Sequence, residues 1–167
     1  TTGYWPTSEQ GGSIDKSASL VGKYLLNTTY TGNVEIEAPS NVEFMDPIAM
    51  SSPNLDKKID LKKFIPFQWK AIPNALGLHA SIMGMEGKNT MILWSSSEID
   101  TDLAMEDKGF LQMAEVRDYV AKTIFMAGDR TSVNVPAGIF ANADFAMLQM
   151  AGFGPGAAID EAQPRPR

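Results

Sequence analysis

Cysteine is missing from this 167-residue chain, and histidine occurs once. Without a thiol there is no cysteine nucleophile, no thiolate-bound zinc, no iron–sulfur cluster and no disulfide framework. One histidine, His79, excludes a histidine-rich metal site built within a single chain. Long apolar runs are also missing, since no stretch approaches the roughly 18 to 20 residues of a spanning helix. Positive charge is scarce: 14 Lys and Arg stand against 20 Asp and Glu, for a formal net charge of −6. Affinity for nucleic acid comes largely from clustered Lys and Arg, so a phosphate backbone is not expected as the main partner. An acidic surface also resists anionic membranes. The compartment stays open, because a cysteine-free chain suits any redox environment and a leader preceding Thr1 would leave no trace here.

What is present is enough for a core. Hydrophobic residues make up 44% of the chain, and a chain of this length buries about two-thirds of its unfolded surface. Residues 1–19 are rich in Thr, Ser and Gly and carry Tyr4 and Trp5, which predicts an extended arm whose aromatics need a docking place. Residues 20–151 are expected to form one globular domain. Residues 152–167, with Gly-Pro-Gly and Pro-Arg-Pro-Arg, read as a flexible tail.

Within the domain, residues 20–30 and 33–37 flank a Thr-Gly-Asn turn, and Val34 and Ile36 alternate with Glu35 and Glu37. That is a hairpin with one solvated face. Residues 41–45 suggest another short strand, and 90–94 a buried one. Pro66 and Pro73 interrupt the stretch from 64, leaving 74–83 as a helical piece. Phe110, Met113, Val116, Val120 and Ile124 recur at helical spacing and predict the main helix, closed near Gly128. Residues 142–150 complete the pattern as a further helix. Strands at the front and two or three helices toward the back predict an α+β fold, with a β-sandwich carrying helical excursions as the competing architecture.

No catalytic constellation emerges. His79 sits between Leu78 and Ala80 as a packed imidazole, and no Gly-x-Ser-x-Gly elbow surrounds any serine. Glu98, Asp100 and Asp102 open like a calcium loop, but Ala104 and Met105 stand where the next oxygen ligand and the turn glycine belong. Gly87-Lys88 resembles the end of a phosphate loop, yet Asn89 replaces its Ser or Thr and Ile82 its first glycine. No cofactor is therefore expected. Lys57, Lys58, Lys62 and Lys63 form a small basic patch near Phe67 and Trp69, with Asp56 and Asp60 interleaved as on a solvated face.

The outstanding feature is a shortage of charge. Between residues 131 and 159 only Asp144 is ionisable, while Phe140, Phe145, Met147, Leu148, Met150 and Phe153 crowd the same stretch. Depletion of charge with aromatic and Met enrichment is the composition of an interface core. Met83, Met85, Met91, Met105, Met113 and Met126 add flexible thioethers around the middle helices, which fill irregular core gaps and also suit adaptable contacts. The expectation is a non-enzymatic structural subunit that associates with itself or with other subunits, as in a virion capsid or a secretion machine. Its interface would use Tyr4, Trp5 and the apolar residues between 140 and 153. The competing reading is a small cation- or carbohydrate-binding or hydrolytic domain using Glu98, Asp100 and Asp102.

Overall fold

The computed structural model describes residues 15, 17–28, 32–101 and 111–156. The chain divides into two compact units, Thr1–Glu43 and Phe44–Arg167, a division that falls inside the span expected to form one domain. Tyr4, Trp5, Asp102 and the Pro-Arg end lie outside the described residues.

The first unit is an antiparallel hairpin of β1 (Gly22–Thr28) and β2 (Gly32–Ala38). Val34 and Ile36 turn to the half-buried side and Glu35 and Glu37 to solvent, as the alternation requires. Lys23 lies 3.6 Å from Glu35 on the outer face. The Glu43 carboxylate accepts from the Leu20 amide at 2.7 Å and from the Ser19 hydroxyl.

The second unit holds β3 (Met50–Ser52), β4 (Ile65–Trp69), β5 (Gly77–Glu86), β6 (Thr90–Ser95), α1 (Met113–Ala121), β7 (Met126–Ala127), β8 (Ser132–Val135) and β9 (Phe145–Phe153). One antiparallel sheet has the order β3-β4-β8. In the other, β5 is central: β9 pairs from Gly77 to Met85, while β6 pairs from Ser81 to Glu86 and β7 at Gly77 and Leu78. The sheets share one core. Ile65, Phe67 and Trp69 from β4 meet Leu78, Ala80 and Ile82 from β5, with Val135 and Phe140. Full burial of each such large side chain stabilises by about 1.5 to 3 kcal/mol. Gly84 allows the closest approach, because a Cβ there would lie 2.6 Å from the Phe140 ring.

These elements overturn the α+β expectation. Among the described residues α1 is the sole α-helix, nine residues long, and the other regular elements are antiparallel strands. It starts at a reciprocal cap in which the Gln112 amide donates to the Glu115 carboxylate at 2.7 Å. It stops well before Gly128, because Thr123 takes a left-handed φ of 58° and turns Ile124 and Phe125 inward. Gly128 serves a different purpose: a Cβ there would sit 1.9 Å from the Ala75 carbonyl oxygen.

The other two helical assignments are strands. Residues 142–150 contain good helix formers, yet β5 offers an edge along which β9 pairs over nine residues, and pairing overrides local propensity. Residues 74–83 run from a turn into β5, whose first four residues are buried on both faces and so carry no alternation to betray a strand. Residues 41–45, expected as a strand, are not part of one. Conversely, β4 tolerates Pro66 because β3 pairs only at Gln68 and Trp69, leaving one side of Pro66 without a strand to bond.

Candidate functional site

Register assigns the faces of the larger sheet. Even-numbered residues of β5, namely Leu78, Ala80, Ile82 and Gly84, point to the core, together with Ile92 and Trp94 of β6 and Ala146, Leu148 and Met150 of β9. Odd-numbered residues point the other way. At one end α1 covers that outer face. A Cβ on Gly77 would lie 3.0 Å from both Val116 and Val120, and His79 packs edge-on against Phe125 at 5.5 Å. Phe125 in turn stacks on Phe153 at 4.8 Å.

Beyond His79 the helix no longer reaches, and three transverse rows are set by pairing across β5. They are Ser95–Ser81–Gln149, Leu93–Met83–Met147 and Met91–Met85–Phe145. No residue in these rows is ionisable. Leu93 is 69% exposed, and Met91, Met147 and Phe145 are each more than half exposed. A large side chain offers on the order of 200 Å², so the two apolar rows leave roughly 400 to 600 Å² open, the size of patch that is often functional. A groove of about 320 Å³ runs between Ser81, Met83, Leu93, Ser95, Met147 and Gln149. Its thioethers can repack against varied shapes.

The sequence-derived residues therefore separate. Phe145 and Met147 lie on the open face, whereas Leu148 and Met150 pack against the core and Phe140, 1% exposed, is enclosed within it. Phe153 is half-buried under the helix. Leu93 belongs to the same open face but lies far from the charge-poor segment 131–159, so the composition of that segment does not reveal it. The signal available was the uncharged run of β6 itself, Thr-Met-Ile-Leu-Trp-Ser. Asp144, the lone charge of the charge-poor segment, holds a turn in place. Its carboxylate accepts from the Gly87 amide at 2.9 Å, and its own amide donates to the Met85 carbonyl at 2.7 Å.

The other candidates gain no geometry. Glu98 and Asp100 are exposed, and among the described residues no three His, Cys, Asp or Glu side chains are grouped to hold a metal ion. A depression of about 580 Å³ contains Ser96, Glu98, Asp129 and Arg130 but not the chain's histidine. Phe67 and Trp69 are each 3% exposed, so neither offers the neighbouring lysines a stacking platform. Among the described residues no helix is long and apolar enough to cross a membrane.

Compared with protein-family models, curated proteins and solved structures, the chain matches none, so no activity, ligand or partner is carried over from a relative.

Proposed function

We propose that this protein is a non-enzymatic structural subunit that self-associates through the outer face of the β6-β5-β9 sheet. The observation that carries the reading is the pair of uncharged apolar rows, Leu93–Met83–Met147 and Met91–Met85–Phe145, left open beyond a helix that covers only the Gly77–His79 end of that face. Water tolerates single exposed apolar residues, but a contiguous patch of this kind favours burial against a complementary surface. The chain's net charge of −6 makes like copies repel elsewhere, and the uncharged face is where that repulsion is weakest. Two such faces together bury about 1,000 Å², the lower end of specific interfaces. Contacts of that size suit a subunit held by several modest interfaces, as in a capsid shell or a secretion assembly.

Sedimentation equilibrium over concentrations from about 1 μM to about 1 mM, spanning association free energies of roughly −8 to −4 kcal/mol, tests the reading. Reversible association is expected, weakened at least about tenfold by Leu93→Lys. A strictly monomeric native protein throughout that range overturns it.

A further inference from the structure

We infer that a second self-contact exists at the free edge of β9, where the β9 strand of another copy pairs antiparallel and extends the sheet across a two-fold axis. The inference rests on the self-association reading but concerns a different surface: backbone groups at an edge, not side chains on a face.

A strand edge presents a row of N–H and C=O groups ready to pair, and proteins blunt such edges with short strands, charge, proline or bulges. The smaller sheet does so. β3 has three residues and an irregular register, and β8 has four and ends at Pro136. β9 uses none of these devices. It runs for nine residues, Phe-Ala-Met-Leu-Gln-Met-Ala-Gly-Phe, with no charge, no proline and an unbroken register against β5. Among the described residues no other strand pairs with it.

The opposite edge, β6, is also uncharged but shorter, at six residues, and its surroundings differ. Beside the end of β6 lies a depression of mixed lining that includes the ionisable Glu98, Asp129 and Arg130, and desolvating those three groups opposes burial. Beside Ala146, Met147 and Leu148 lies a cleft of about 340 Å³ in which every lining residue is apolar, Leu55, Ile59 and Leu61 among them. Among the described residues the charged groups Lys58, Asp60, Lys62 and Asp144 stand only before the start of β9. Covering the strand itself therefore removes apolar surface from water, and two identical uncharged strands meet without like-charge repulsion. Antiparallel pairing of a strand with its own copy is isologous, so it closes on two subunits. Combined with the face contact, it gives each subunit two independent joints, the minimum for an extended array.

The test uses the full chain with Leu93→Lys, which weakens the face contact at a residue 69% exposed, with an unchanged circular dichroism spectrum as the control for folding. Residual dimerisation is expected at high concentration, with amide exchange in 145–153 slowed at least about tenfold relative to the dilute protein at those amides that do not bond to β5. A variant monomeric at every concentration overturns the edge contact while the face contact stands on the native protein. A residual dimer with unchanged β9 exchange overturns it equally. Native and variant proteins that associate identically overturn the face reading instead, and β9 exchange then decides the edge alone.

Discussion

The β1–β2 hairpin and the β6-β5-β9 sheet are both antiparallel and both turn one side toward solvent, but they treat that side differently. The hairpin places Lys23, Glu35 and Glu37 there, and its exposed Leu25 sits alone among them. The larger sheet places Met, Leu and Phe in adjacent rows with no charge at all. A charged outer face is finished by water, whereas an uncharged one of several hundred Å² remains short of a partner. The contrast also bears on specificity, since Lys23 and Glu35 repel misplaced neighbours and the Met rows do not.

The largest expected effect lies beneath the sheet. Phe140→Ala should destabilise the second unit by about 3 to 5 kcal/mol, read from the urea midpoint, because it empties the space under Gly84. A loss below about 1 kcal/mol would mean that the ring is not the central core residue its burial indicates. Next, charge placed on the two outer faces should separate them. Met91→Lys with Met147→Lys should lower self-association by about ten- to a hundredfold, roughly 1.4 to 2.7 kcal/mol, in sedimentation experiments. Leu25→Lys on the hairpin should leave association unchanged. Equal effects from both would erase the distinction between the faces.

Smaller effects probe the joints. Asp144→Ala removes the acceptor of the Gly87 amide and should cost about 1 kcal/mol in thermal or urea unfolding. Because the loss loosens the β5–β6 turn against β9, exchange should quicken at Gly87 and not in the hairpin. Smallest is Lys23→Ala. Its ion pair with Glu35 is two-thirds exposed on both sides, so stability should change by less than about 1 kcal/mol, and by less still in high salt.

The hairpin was legible because alternation and turn chemistry agree over neighbouring residues, and local agreement needs no knowledge of the rest of the chain. The Phe145–Phe153 run was not. Ala, Met, Leu and Gln fit a helix by propensity, and the edge that made them a strand belongs to residues 77–85, far away in sequence. Gly77 and His79 misled for a related reason: α1 buries the side that would otherwise have shown the alternation. Charge depletion singled out Phe145 and Met147, which are exposed, together with Phe140 and Leu148, which are not, because all four are equally apolar.

By itself the sequence determined the absence of thiol and multi-histidine chemistry, the acidic surface, the charged hairpin and the shortage of charge near the carboxyl end, because composition and period-two alternation are properties of neighbouring residues. Only the tertiary structure decided that β9 is a strand, that Phe140 is enclosed while Met147 faces water, and that Leu93 shares a row with Met83. Those outcomes depend on which distant strand supplies hydrogen bonds and on a register in which a one-residue shift exchanges the two faces.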